Sequence, residues 1–125
     1  MKKKSLWLAV ALLSAGVIQG CQFVEAKPGA DKVRVLSKEE ARECLQITTT
    51  NVKTTAEVGL IKRDDKAVAD ELERLAINDA VGADADTVVA ISEVKDGGRK
   101  YIIARCVGVE TWCQNHTDVA NCRGN

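Results

Sequence analysis

Three lysines, Lys2, Lys3 and Lys4, stand before an almost wholly apolar run from Leu6 to Ile18. Positive charge followed by a short apolar stretch is the pattern of an export leader. A bilayer-spanning helix needs about 20 apolar residues, so this run predicts a leader that is removed, not a permanent membrane helix. After it the pattern alternates. Val33 and Val35 are interleaved with charged residues between Lys32 and Leu36, which predicts a short strand. Ser37 and Glu40 have capping-box spacing and predict a single helical turn. Leu45 to Val58 is dense in threonine and β-branched residues and predicts a strand, with the polarity of an edge or a solvated face.

From Lys66 the period changes to that of a helix. Val68, Leu72, Leu75 and Ala76 share one side, Ala69 and Ala80 widen it, and Asp70, Glu71, Glu73 and Arg74 lie mainly off it. Asp64 and Asp65 supply an N-cap, and Gly82 is placed to end the helix. Thr87 to Val94 predicts a strand built on Val88-Val89-Ala90-Ile91, Asp96-Gly97-Gly98 a hairpin turn, and Tyr101 to Val109 the returning strand. The order β-β-α-β-β predicts an α+β fold: a small, mainly antiparallel sheet covered by one amphipathic helix. Trp112 to Asn125 has no period and reads as a disulfide-stapled tail.

The leader ends in Ile18-Gln19-Gly20-Cys21, which resembles a bacterial lipobox: an apolar residue, a spacer, a small residue, then cysteine. The resemblance implies lipid attachment to the Cys21 thiol, cleavage before it, and acylation of the new N-terminus. Several acyl chains meet the two-signal requirement for stable anchoring. Gln22 follows where aspartate would imply retention in the inner membrane, so the expected location is the periplasmic face of the outer membrane. The expected layout is a lipoprotein signal peptide over 1–20, a lipidated N-terminus and short tether over 21–31, and a periplasmic domain over 32–125.

Composition sharpens this picture. The 125 residues carry 18 basic and 18 acidic groups. The leader takes Lys2, Lys3 and Lys4 with it and no acid, leaving 15 basic groups against 18 acidic ones and a net charge of −3. Nucleic acid is not an expected partner. Aromatics make up only 3%, so the chain is poor in the large rings that dominate cores and binding pockets.

With Cys21 assigned to lipid, Cys44, Cys106, Cys113 and Cys122 remain, an even number that predicts two disulfides in an exported domain. Cys44–Cys106 with Cys113–Cys122 is the favoured pairing. Cys44–Cys113 with Cys106–Cys122 stays open, because Cys106 and Cys113 are close enough to exchange partners. The spacing matches neither a C-x2-C zinc site nor a C-x-x-C redox pair.

No catalytic residue, cofactor or metal site is expected. His116 is the only histidine and reads as a solvated side chain in the tail. Trp112 is either a partner contact or a cover for the open end of the core. Asp64-Asp65 read as helix caps and Gly97-Gly98 as a turn, not as a carboxylate pair or a phosphate loop.

Several segments together resemble a group of small bacterial lipoproteins of unknown function, related in fold to the RcsF envelope-stress sensor. They are the lipobox, a strand entered at Glu43-Cys44-Leu45, a helix ending Gly82-Ala83-Asp84, the strand from Thr87, and a last strand closing on Arg105-Cys106. The resemblance implies a disulfide-stapled α+β domain on an outer-membrane anchor that works through protein contacts. The expected partners are the membrane, through Cys21, and envelope proteins, in an accessory or stress-sensing role. The alternative expectation is a periplasmic small-ligand or metal-binding module.

Overall fold

The computed structural model describes residues 24–58 and 61–123. The leader, Cys21 and Gln22 lie outside the described residues. The chain forms β1 (Arg34–Val35), β2 (Leu45–Lys53), β3 (Glu57–Val58), β4 (Ile61–Lys62), α1 (Asp65–Gly82), β5 (Thr87–Ala90), β6 (Gly98–Arg105), α2 (Val109–Gln114) and α3 (Ala120–Arg123). A 3-10 turn, Ala30–Lys32, precedes β1. Four strands form a mixed sheet in the order β1-β5-β6-β2, and β3 pairs with β4 in a separate small ladder. The α+β architecture is therefore the one the periodicity predicts.

The details differ in several places, and β5 and β6 end earlier than expected, at Ala90 and Arg105. β1 pairs with β5 in parallel, because the whole of β2 and α1 lies between them in sequence and carries the chain back across the sheet. The expected long strand over 45–58 is broken after Lys53: the Thr54 N–H turns aside to donate to the Gly97 carbonyl at 2.7 Å, and the chain then forms the β3–β4 ladder. The expected tail is not irregular, since it folds into α2 and α3.

α1 begins as the sequence requires. The Asp64 carboxylate accepts from the Ala67 N–H at 3.2 Å and caps the first turn. The capping box also forms, with the Ser37 N–H donating to Glu40 Oε1 at 2.8 Å and the Glu40 N–H to Ser37 Oγ at 3.1 Å. The bond from the Ser37 N–H to the ionised carboxylate, aided by the Ser37 side chain, holds the Glu40 carboxyl below its ordinary value. The end of α1 departs from expectation. Asp84, not Gly82, takes the left-handed conformation at φ 58°, while the Ala85 N–H reaches the Ala80 carbonyl and the Asp84 N–H the Val81 carbonyl. That is a Schellman motif with aspartate in the usual glycine position.

One face of α1 packs on the sheet. Val68, Leu72, Ala76 and Ala80 are buried against Val52, Val88, Tyr101 and Ile103. Ala76 and Ala80 are small, so the helix backbone can approach the strands closely where aromatic volume is scarce. On the opposite sheet face Val89 and Ala104 are also buried. At the β5–β6 end, Asp96 (φ 52°) and Gly97 (φ 73°) form the expected turn. A side chain on Gly97 would strike the Thr54 carbonyl oxygen at 2.4 Å.

Segment 24–31, expected as a tether, lies on α1. Arg74 Nη1 donates to the Val24 carbonyl at 3.2 Å, and Asn78 Nδ2 donates to the Glu25 carbonyl at 2.8 Å. The Lys27 N–H returns to Asn78 Oδ1 at 2.9 Å. The buried Asn78 amide thus satisfies two backbone groups and ties residues 25–27 to the helix.

Candidate functional site

The disulfides follow from the ladder. β2 and β6 are antiparallel with Leu45 opposite Arg105, so the next pair outward is Cys44 and Cys106. They are bonded, with Cα atoms 4.4 Å apart. Cys113 and Cys122 are bonded across the α2–α3 tail. The favoured pairing is the one formed.

Between these staples, at the C-terminal end of α1, lies a cluster of polar contacts. The Asp84 carbonyl accepts from Trp112 Nε1 at 2.7 Å and from Arg105 Nη1 at 3.2 Å. Asp86 accepts from the Cys106 N–H at 2.8 Å and the Val107 N–H at 3.0 Å, with Arg105 Nε 3.6 Å away. His116 is stacked on Trp112 with ring centres 3.8 Å apart. Its Nδ1 faces the Trp112 carbonyl oxygen at 2.7 Å, and its Nε2 lies 3.3 Å from Asp84 Oδ2.

His116 is therefore a packed residue and not the solvated side chain expected from the sequence. His116 lies just past the end of α2, so no helical period in the sequence pairs it with Trp112. Trp112, 5% exposed, covers the end of α1. The sequence marks Asp84 only as the end of the Gly82-Ala83-Asp84 motif and gives no sign of Asp86, because their contacts form where the loop after α1 meets the tail in three dimensions. These contacts join the tail to the sheet, with the Asp84 side chain remaining 68% exposed.

A second network lies at the other end of α1. Glu71 accepts from Arg63 Nη2 at 2.9 Å and from the Thr54 hydroxyl. Arg63 also donates to the Thr55 carbonyl at 2.7 Å. The guanidinium, aided by the Thr54 bond, holds the Glu71 carboxyl below its ordinary value against the opposing effect of burial. Glu71 was expected off the buried stripe; its ion pair is what permits its burial.

The remaining candidate surfaces are of three kinds. β2 forms one edge of the sheet, with Thr48, Thr49, Asn51 and Lys53 exposed. Its Leu45 end is covered: Asn121 Nδ2 donates to the Gln46 carbonyl at 2.6 Å, and a bulge interrupts the register between Gln46 and Thr48. On the sheet face opposite α1, a groove of about 280 Å³ has an apolar floor of Val89, Ile102 and Ala104 and a wall with Lys38 and Arg42. A wider cleft of about 660 Å³ lies by the N-terminus of α1, with Glu57, Lys62, Glu93 and Arg99 giving it both signs of charge. Among the described residues, no group of three or more His, Cys, Asp and Glu side chains could hold a metal ion. Among them too, no helix is long and apolar enough to cross a membrane.

Fold and cluster together define a class: a small α+β domain in which one helix covers a mixed sheet and two disulfides fasten the sheet edge and the tail. Residues 24–122 match the family model described as a domain of unknown function, DUF4156. The chain belongs to this family. No curated protein and no solved structure matches it. The matched range includes Val24, whose carbonyl accepts from Arg74 on α1.

Proposed function

We propose that the protein is a non-enzymatic outer-membrane lipoprotein that faces the periplasm and acts through protein contacts in the envelope. In this reading residues 1–20 direct export, Cys21 carries the lipid, and the role is accessory or stress-sensing in the manner of RcsF. The sequence around Cys21 supports the anchor. The observation that carries the contact role is β2, a nine-residue strand with no neighbouring strand on its outer side among the described residues. Such an edge can receive an extended segment of a partner by main-chain hydrogen bonding. The bulge, Lys53 and the Asn121 contact limit unspecific pairing along it.

A photo-crosslinking residue at Asn51, in protein expressed in intact cells, tests this reading. A discrete adduct at Asn51 that is absent with the same probe at exposed Glu110 supports it. Equal labelling at the two positions contradicts it. The groove beside Lys38 and Arg42 favours a second reading, a module for a small anionic ligand with an apolar body. A thermal-shift screen with envelope metabolites and metals addresses that reading; a flat response sinks it.

A further inference from the structure

Glu71, Arg74 and Asn78 are spaced three and four residues apart on α1, so they form one stripe on one flank of the helix. The stripe holds two segments. Glu71 binds Arg63, which directly follows β4, while Arg74 and Asn78 bind the Val24–Lys27 segment. At the rise of an α-helix, Glu71 and Arg74 are separated by about 4.5 Å along the axis. One flank of the helix thus holds the Arg63 side chain that follows β4 toward its start and the N-terminal segment from its middle onward.

Ile61 of β4 has the highest exposure of any large hydrophobic among the described residues, at 72%. The Lys62 side chain beside it is also 72% exposed and pairs with exposed Asp65 at 3.5 Å. Covalent geometry then limits the anchor. Two residues, Gln22 and Phe23, separate Val24 from Cys21, so the two Cα atoms are three steps and no more than about 11 Å apart. A lipid on Cys21 therefore holds this flank of α1 against the bilayer, because the folded unit has no longer leash on which to turn away.

We propose that Ile61 is a second, non-covalent membrane contact, inserted in the lipid interface to which Cys21 is attached, and that it fixes the orientation of the domain. The inference rests on the Cys21 anchor proposed above. It places the tail cluster of Trp112 and His116, at the far end of α1, away from the lipid. An apolar side chain at the acyl boundary with a lysine able to reach the headgroups suits this position.

The test uses the full lipidated protein, extracted from membranes and reconstituted into phosphatidylethanolamine–phosphatidylglycerol vesicles with brominated acyl chains. Ile61→Trp introduces a fluorophore at the proposed contact. Val107→Trp, at a site 63% exposed beside Cys106, serves as the control at the opposite end. The Ile61→Trp signal is expected to be quenched by roughly two-fold or more over both Val107→Trp and the parent protein, whose Trp112 is buried, since tryptophan seats itself at the interface.

Lys62→Trp supplies a second position, with the same result expected. Equal quenching at Ile61→Trp and Val107→Trp overturns the inference. A blue-shifted Ile61→Trp emission without bromine quenching overturns it as well, by showing that a protein covers the position. The intact mass of the same sample separates the two claims. A lipidated but unquenched protein refutes the orientation alone, and an unlipidated protein refutes the anchor on which it rests.

Discussion

Among the described residues Glu71 is the one buried charged side chain, and its carboxylate is held by Arg63 and Thr54. Removing the charge while keeping the shape isolates that interaction. Glu71→Gln is expected to lower stability at neutral pH by about 1–2 kcal/mol, measured by urea denaturation. The pH dependence has a definite sign. A carboxyl whose native value is lowered binds fewer protons when folded, so it stabilises the protein above the ordinary value of 4.5. That contribution is lost as pH falls through the lowered native value. The difference between wild type and Glu71→Gln should therefore shrink as pH is lowered from about 6 toward about 3, the range in which carboxylates take up protons; an unchanged difference would count against the pair.

α1 does more than cover the sheet. Its buried face follows from the apolar period, and its start follows from Asp64, so both were legible in the sequence. Its second task was not. Asn78 reads as one polar residue in an amphipathic helix, yet it binds the chain more than fifty residues upstream, a contact no local pattern encodes. Asn78→Asp keeps an acceptor for the Lys27 N–H and removes the donor to the Glu25 carbonyl. It is expected to cost about 1–2 kcal/mol and to expose residues 24–29 to proteolysis while the rest of the domain stays resistant. Limited proteolysis with mass mapping gives the answer; cleavage unchanged from wild type would show that Asn78 does not retain the segment.

The whole molecule is small and poor in aromatics, and its two disulfides close loops of very different length. On the chain-entropy account the Cys44–Cys106 link contributes about 4 kcal/mol and Cys113–Cys122 about 2.7 kcal/mol. Cys113→Ser with Cys122→Ser should therefore leave a folded domain of lower stability with a loosened tail, whereas Cys44→Ser with Cys106→Ser should cost more. Near-ultraviolet circular dichroism of Trp112 and denaturation midpoints separate these outcomes. Equal losses would contradict the ranking.

The cysteine count and their separations made the favoured pairing readable. Position alone left an alternative open until the register placed Cys44 opposite Cys106. The Asp84–Trp112–His116 cluster was hidden for a similar reason. Its members lie on two segments that meet only after α1 has ended in an aspartate, where the sequence pointed to Gly82.

The functional account depends most on Cys21: the docking of Val24 on α1 and the short reach from it acquire their meaning only if lipid is attached there. Intact-mass spectrometry of the protein extracted from outer-membrane fractions tests this directly. The predicted result is a chain that starts at Cys21, bears a diacylglyceryl group and an N-acyl group, and has four cysteines resistant to alkylation. A chain that keeps residues 1–20, or one that starts elsewhere with an unmodified Cys21, would contradict it.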